Sequence, residues 1–280
     1  MTHKPLVPAG GAKPVGPYVP GLVAGDYVYV SGQGASDSAG HRATDIESQT
    51  RQAITNVRVI LEAGGLGLAD IVSVQFYLLD LNNLPAADRV YHEEFGANDP
   101  QRVILGTARM PTDTPVEITV VARKRGVTPH RQYLPVKYDS HYDDAPPLIQ
   151  RVEYHTGAWA PGIVSIDALP NHASTAVVAV TGPDPSATFC SVIASDPQGT
   201  IDDQTRGVFH LLEACLESKG FALSDITATN VYLNNMDDFA KMNAAYATFF
   251  PDSKPTRTTV QPAKTVPGGS LVRISAFAVR

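Results

Sequence analysis

Hydrophobic and polar positions alternate over residues 71–79 in the first half of the chain, where Val72, Val74 and Phe76 are interleaved with Ser73, Gln75 and Tyr77, and this pattern predicts a β-strand. Residues 26–31, which are rich in Tyr and Val, predict another strand. Residues 100–124 predict two further strands, because both arms are rich in β-branched residues and a Pro/Thr/Asp cluster separates them. Residues 1–20 are rich in proline and glycine and predict an arm that packs late or frays.

Two stretches between these strands follow the helical period. Residues 46–61 place apolar side chains every three to four positions, and residues 84–96 show the same amphipathic pattern. Thr44 and Glu47 have the spacing of a capping box, which predicts where the first helix begins. Gly64 predicts where it ends. The predicted order is therefore strand, helix, strand, helix, strand, strand.

Each of the last two predicted strands carries one charged residue among apolar neighbours. Arg102 lies near the start of the first strand and Glu117 near the start of the second. A charge in a strand is costly to bury unless it is paired, lies at an edge or faces a pocket. The two residues therefore have two interpretations. They form a cross-strand pair that supports the sheet, or a site where a guanidinium holds a carboxylate and a carboxyl group activates water.

The same order of elements recurs after a shift of 155 residues, which places Arg257 where the first copy has Arg102. Residues 49–102 and 204–257 share 15 identities over 54 positions aligned without a gap. Identity at one constant shift indicates a duplicated unit rather than a shared periodicity.

The duplication divides the chain into two units and a connection. Residues 125–150 contain clustered proline, aspartate and histidine residues, which are typical of a linker. We therefore expect a first domain over residues 1–124 and a second over residues 151–280. A length of 280 residues by itself suits one large domain or two of about 140 residues each.

The composition is that of an ordinary globular protein, with 43% hydrophobic and 18% charged residues. A net charge of −6 disfavours a general nucleic-acid-binding role, because such a surface does not attract a polyanion. No apolar run approaches the roughly 18 residues of a membrane span, and the first residues lack the apolar core of a signal peptide. The chain has only two cysteines, Cys190 and Cys215, and nothing in their spacing indicates a disulfide, so we expect both to be reduced thiols. We therefore expect a cytoplasmic protein that binds neither nucleic acid nor membranes.

Several motifs of the first half occur together in the order found in one known family. They are Gly16-Pro17-Tyr18, Tyr29-Val30-Ser31-Gly32-Gln33, Glu47-x-Gln49-Thr50-Arg51, and Pro100-x-Arg102 followed by Val116-Glu117-Ile118. These motifs closely resemble the Rid superfamily, the YjgF-like reactive-intermediate deaminases, which are sometimes labelled endoribonucleases or translation inhibitors. The first half matches over nearly its whole length and the second from about residue 199 onwards. The whole chain therefore resembles a tandem Rid protein.

The resemblance implies an α+β fold with two tandem chorismate-mutase-like domains, each a mixed β-sheet with two helices on one face. It also implies trimers, pockets between neighbouring domains, and hydrolysis of imines or enamines derived from amino acids. In the family, the arginine matching Arg102 holds the substrate carboxylate, and the glutamate matching Glu117 is associated with the water. Residues matching Tyr18, Ser31 and Gly32 line the pocket.

Two positions of the first half depart from the family pattern. Asparagine commonly sits where this chain has Asp88, and cysteine often sits where it has Ile104. Asp88 adds a negative charge near the anion site if it points there, and Ile104 still offers its backbone groups. Both are candidate substrate-binding positions that bear on which substrates fit.

The second half keeps Arg257 as a further candidate for substrate binding, but one extra loop residue aligns Arg273 with Glu117. Its sequence lacks the Ser-Gly-Gln signature, and Thr181-Gly182-Pro183 and Cys190-Ser191-Val192 are the nearest candidates. Two arginines bind an anion but offer no base at neutral pH. We therefore expect this half to complete the assembly rather than to carry chemistry of its own.

Imine hydrolysis needs no metal and no organic cofactor, because the C=N carbon is already electrophilic. The eight histidines include no HxH or HExxH spacing, and the sequence has no GxxxxGK[ST] phosphate loop. The leading hypothesis is a cofactor-independent deaminase of imine or enamine carboxylates, or a related step in a biosynthetic pathway. The alternatives are a non-catalytic sensor of small carboxylates and a ribonuclease or translation inhibitor, which the acidic composition disfavours.

A homotrimer is the expected assembly. Two domains on one chain cannot complete a ring of three, so a single chain would leave interface exposed. Three chains supply six domains, enough for two stacked rings or one pseudo-sixfold arrangement. Each site would then take Arg102 and Glu117 from a first half and its lid from a neighbouring domain.

Overall fold

The structure is a computed structural model that describes residues 3–98, 100–124, 131–134, 152–155, 178–181, 187–193, 198–263 and 269–280. The described part of the first half contains six strands and two α-helices. They are β1 (Lys4–Leu6), β2 (Gly21–Ala24), β3 (Tyr27–Gly34), α1 (Ile46–Ala63), β4 (Ile71–Leu78), α2 (Leu84–Phe95), β5 (Gln101–Arg109) and β6 (Val116–Arg123).

The order of elements predicted from β3 to β6 is confirmed, and two details of the first half differ. The predicted capping residue, Thr44, is wrong: Asp45 caps α1, and its carboxylate accepts a hydrogen bond from the Ser48 amide at 2.7 Å. Both residue types satisfy a free amide of the first turn, but Asp45 directly precedes the helix. The N-terminal arm is not simply frayed, because β1 pairs antiparallel with β2.

The second half repeats these elements. Strand β7 (Arg131–Leu134) precedes this half. The described strands and helices of the half itself are β8 (Val152–His155), β9 (Val178–Thr181), β10 (Ala187–Ile193), α3 (Ile201–Glu217), β11 (Ile226–Leu233), α4 (Phe239–Ala247), β12 (Thr256–Pro262) and β13 (Val272–Val279). The bounds of β11 follow those of β4 at the shift of 155, and those of β13 follow β6 at a shift of 156, as one extra loop residue requires.

The proposed connection over residues 125–150 falls mostly outside the described residues, and its described part is strand β7. This strand pairs antiparallel with β8 in a separate two-stranded sheet. The division into residues 1–124, 125–150 and 151–280 stays a prediction.

One mixed sheet of eleven strands runs through both halves in the order β1-β2-β3-β6-β4-β5-β12-β11-β13-β10-β9. The halves meet where β5 pairs antiparallel with β12. Strand β10 lies beside β13 as β3 lies beside β6, with Ser191 opposite Ser275. The segment Cys190-Ser191-Val192 therefore takes the place of the Ser-Gly-Gln signature, whereas Thr181 lies on β9.

The helices of each half cover one face of its part of the sheet. Buried residues of both helices and of the sheet form one apolar core per half, centred on Ile54 and Phe76 in the first and on Phe209 and Ile274 in the second. Fully burying such a side chain contributes about 1.5–3 kcal/mol. Among the described residues, no helix is long and apolar enough to cross a membrane.

The opposite faces of the two half-sheets pack against each other. Tyr77 and Tyr232 belong to a small apolar cluster between the halves. The hydroxyl groups of Thr119 and Thr258 lie 2.6 Å apart and form a buried hydrogen bond. This packing brings β12 of the second half against β3 of the first.

Candidate active site between the two halves

A cavity of about 410 Å³ opens where the two halves meet. The first half contributes the N-terminal arm, the end of β3 with the loop after it, and the turn between β5 and β6. The second half contributes Phe239 at the start of α4 and residues of β12. The buried end of the cavity is formed by Glu117 and Arg257, with Tyr18 and Gly32 beside them.

Glu117 is a buried carboxyl group near the start of β6. Its backbone lies opposite Gly34 of β3 and Tyr77 of β4, and the residue is only 5% exposed. Burial raises the pKa of Glu117 from 4.5 to about 8, although the charge of Arg257 acts in the opposite direction. The group is therefore largely protonated at neutral pH.

Gly32 makes room for this carboxyl group. A Cβ at position 32 would lie 2.6 Å from the carboxyl carbon of Glu117, which no real side chain tolerates. The register between β3 and β6 shifts between Val30 and Gln33, and the Gln33 side chain donates to the carbonyls of Ser31 and Gly32. The irregular strand and the missing side chain together let Glu117 lie against the backbone.

Arg257 enters the cavity from β12 and is surrounded by aromatic rings. Its guanidinium carbon lies 4.9 Å from the ring centre of Tyr18, 5.0 Å from that of Tyr246 and 5.4 Å from that of Phe239. Burial lowers the pKa of Arg257. Both Nη atoms are buried and have no hydrogen-bond partner in the part of the chain that the structure describes. The guanidinium is thus positioned by cation–π contacts while its two donors stay available for an anion.

Asn243 of α4, which the sequence analysis did not name, lies beside Arg257 but is not among the described residues that line the cavity. A Cβ at Gly16 would lie 3.1 Å from Asn243 Oδ1 and 3.2 Å from the guanidinium carbon of Arg257, so the arm approaches both closely. Asn243 Oδ1 is buried and lacks a hydrogen-bond partner among the described residues. The shift of 155 aligns Asn243 with Asp88, and that comparison was the available signal.

The structure places Arg102 apart from this cavity. Its Nη2 donates to Asp88 Oδ1 of α2, and its guanidinium carbon lies 4.0 Å above the ring centre of Tyr91. The Asp88 carboxylate therefore neutralises Arg102, whereas the corresponding Asn243 leaves Arg257 without a counter-charge. Within one chain Glu117 is brought together with Arg257, and the expected pairing of Arg102 with Glu117 in one pocket or in one cross-strand pair is not formed. A clamp role for Arg102 stays a prediction for a pocket supplied by another chain.

Ser31 and Ile104 both lie outside the cavity wall. The fully buried Ser31 hydroxyl donates to the Val19 carbonyl at 2.6 Å and accepts from the Arg257 amide at 2.9 Å. Ile104 is partly buried and packs against the first core. Neither is among the described residues that line the cavity.

Arg273 occupies in the second half the position of Glu117. It is 1% exposed, and its Nε donates to Ser191 Oγ at 3.0 Å. Burial lowers the pKa of Arg273 to about 10, which still leaves it charged at neutral pH. A cation therefore stands where the first half has a carboxyl group, in keeping with a second half that supplies no base.

The family model described as Endoribonuclease L-PSP matches residues 10–124 and 172–280 of this chain. Those two segments cover most of the sequence. The chain therefore belongs to this family, which is the Rid (YjgF-like) superfamily that its motifs resemble.

The curated relatives that this chain resembles each match about 115 residues of it, roughly the length of one of the two segments. A RutC family protein of Pyrococcus horikoshii is 39% identical over 114 residues, which is 40% of this chain and 90% of that protein. A 2-iminobutanoate/2-iminopropanoate deaminase of Salmonella typhimurium is 37% identical over 115 residues, again 40% of this chain and 90% of the relative. The crystal structure of Escherichia coli TdcF with bound serine is 30% identical and covers 43% of this chain and 98% of that one, with a TM-score of 0.42.

Proposed function

We propose that this chain is a cofactor-independent deaminase that hydrolyses imine or enamine forms of small 2-amino carboxylates to 2-keto acids and ammonia. The observation that carries the proposal is the buried meeting of Arg257 and Glu117 in one cavity. One group is a guanidinium with two available donors, and the other is a carboxyl group held largely protonated.

Arg257 binds the substrate carboxylate. The two Nη donors of a guanidinium match the two oxygens of a carboxylate, and the anion supplies the hydrogen bonds that the buried donors lack. The rings of Tyr18, Tyr246 and Phe239 limit the movement of the guanidinium. Binding in one orientation places the C=N carbon on the Glu117 side of the cavity, which lowers the entropy cost of the reaction.

Glu117 moves the protons of the reaction. In its neutral form it protonates the imine nitrogen, or the terminal carbon of an enamine, and gives an iminium ion. The resulting carboxylate takes a proton from water as the water oxygen bonds to the C=N carbon. That proton passes on to nitrogen, the C–N bond breaks with its electron pair on nitrogen, and the hydroxyl proton returns to Glu117. Imine and water have become keto acid and ammonia, and a positioned acid–base of this kind contributes roughly 10²–10⁴-fold in rate.

The names of the relatives support this reaction class. Proteins of Salmonella typhimurium and Escherichia coli that are 37% and 35% identical to part of this chain are named 2-iminobutanoate/2-iminopropanoate deaminases. Each matches about 40% of this chain, so the two-segment arrangement is not part of that similarity. The acidic composition disfavours the ribonuclease that the family name suggests.

The test generates imines in situ from single amino acids with an L-amino-acid oxidase and catalase. The rate of imine loss is followed by competition with semicarbazide, with and without this chain. We expect faster loss with the chain, and Glu117→Gln should lower turnover more than it weakens ligand binding. Binding of a stable 2-keto acid without any acceleration would instead identify a carboxylate sensor.

We also propose a cytoplasmic location and a homotrimer. The buried Cys190 and Cys215 are both free, as thiols are in a reducing compartment. Arg102 lies outside the cavity that Arg257 completes, so a further domain is needed to give it a pocket. A neighbouring chain is the simplest source of that domain.

A further inference from the structure

The cavity extends well beyond the end formed by Glu117 and Arg257. Its volume of about 410 Å³ lies within the range of about 300–1,000 Å³ that is usual for sites of drug-sized ligands. A four-carbon imino acid is much smaller than such a ligand. The rest of the cavity, here called the outer chamber, is lined by parts of residues 12–15, residues 36–42 and the turn at residues 111–114.

The first wall of the outer chamber is an ordered loop after β3. The Asp37 carboxylate accepts hydrogen bonds from the amides of Ala39 at 2.9 Å and His41 at 2.8 Å. The amide of Gly40 donates to the Asp37 carbonyl at 3.0 Å, and Gly40 has a φ of +88° that favours glycine. The loop is therefore held in one shape by its own side chain.

Arg42 fastens this loop to the turn between β5 and β6. Its Nη1 donates to the Asp113 carbonyl at 3.0 Å, and its Nη2 donates to the Thr112 carbonyl at 3.0 Å. Thr112 and Asp113 have φ angles of 59° and 50°, an uncommon conformation for residues other than glycine. Such strain persists where the surroundings impose it, and it concentrates at ligand-binding sites. Pro111, Thr112 and Thr114 of this turn line the cavity.

The lining of the outer chamber offers apolar surface, together with the exposed Lys13 and several hydroxyl side chains. Val15 lines the cavity and leaves 46% of its surface exposed, with Pro14 and Pro111 as further apolar neighbours. Asp37 and Arg42 already use their charged groups to hold the wall together. An apolar ligand group would cover Val15 without breaking these bonds.

We propose that the outer chamber binds the substituent of the imine, so that the chain prefers 2-imino acids with branched, long or aromatic side chains over the smallest ones. This inference rests on the proposed function and assigns its substrate class. Arg42 acts as a positioning residue that holds the wall, and residues 36–42 determine specificity through shape.

The test compares kcat/KM for imines generated from leucine, phenylalanine and alanine. We expect the wild type to favour the leucine and phenylalanine imines by at least tenfold over the alanine imine. Ala39→Trp fills the chamber from an exposed position and should lower that preference at least tenfold. Arg42→Ala should raise KM for the two larger imines and leave their kcat little changed.

Arg89→Ala is the matched control, because this exposed arginine pairs with Glu47 away from the cavity. It should leave the preference unchanged. Circular dichroism establishes that each variant is folded, and Ser38→Trp replaces Ala39→Trp if that variant is not. A wild type that favours the alanine imine, or a tryptophan variant with an unchanged preference, would overturn the inference while the deaminase function stands. If no imine is hydrolysed faster than background, the proposed function fails as well.

Discussion

The hydroxyl group of Ser31 accepts a hydrogen bond from the backbone amide of Arg257 and donates one to the carbonyl of Val19. One buried side chain thereby joins the N-terminal arm, β3 of the first half and β12 of the second. The first half therefore positions the arginine that the second half supplies.

Removing this junction should impair both stability and substrate binding. Ser31→Ala leaves the Val19 carbonyl and the Arg257 amide without these bonds, so we expect a loss of about 1–3 kcal/mol in the free energy of unfolding. KM for carboxylate imines should also rise, because the guanidinium is less well positioned. Urea denaturation and steady-state kinetics measure the two effects, with Ser224→Ala at an exposed position as the control. Lower stability with an unchanged KM would limit Ser31 to a structural role.

The two corresponding arginines should respond differently to the same substitution. Arg257→Lys keeps the charge but loses the planar fork, so kcat/KM for carboxylate imines should fall by roughly 10²-fold or more. Arg102→Lys should have a much smaller effect, because Asp88 already pairs with Nη2 of that guanidinium and only Nη1 is left without a partner among the described residues. The reverse ranking would show that the working site uses Arg102 in a pocket supplied by another chain.

Glu117 should make the protein less stable as the pH rises. The pKa of Glu117 is 4.5 in an unfolded chain and about 8 in the folded protein. Between pH 4.5 and pH 8 the folded protein therefore binds a proton on Glu117 that the unfolded chain has lost. The free energy of unfolding should therefore fall from about pH 5 to about pH 8, with a slope of up to about 1.4 kcal/mol per pH unit from this group.

Glu117→Gln removes this titration and keeps the shape of the side chain. Urea denaturation from pH 5 to pH 9 should give a flatter profile for the variant than for the wild type. In the wild type, kcat/KM should also fall above about pH 8, since the neutral acid is lost. Parallel stability profiles for the two proteins would contradict a raised pKa.

The assembly prediction is a homotrimer of about 90 kDa from chains of 29.9 kDa. Light scattering coupled to gel filtration at micromolar concentration measures this mass. A stable 29.9 kDa monomer with full activity would rule the trimer out.

Much of the fold was predictable from the sequence because its signals are local. Alternation and helical period identify the elements from β3 to β6, and one constant shift carries most of them into the second half. Strands β1 and β2 were missed because Lys4–Leu6 and Gly21–Ala24 are too short to show a period. The helix cap was misplaced because Thr44 and Asp45 are both suitable residue types, and only the structure shows which side chain reaches Ser48.

The composition of the site was harder to predict because it depends on how the halves pack. Motif order puts Arg102 and Glu117 in one domain, and no local pattern states which arginine reaches which carboxyl group. The difference between Asp88 and Asn243 is the one sequence feature that separates the two arginines. Its meaning depends on the ion pair between Asp88 and Arg102 that the structure shows.

Because Glu117 and Arg257 lie on one polypeptide, the site that they form should persist when the protein is diluted. Groups joined by a chain meet at an effective concentration of the order of millimolar, whatever the amount of protein in solution. Glu117 and Arg257 therefore stay together at protein concentrations at which separate subunits would dissociate. Covalent linkage also lets the two copies of the domain vary independently: a substitution in one half of the chain leaves the other half unchanged, whereas in a ring of identical single-domain chains it would alter every domain at once.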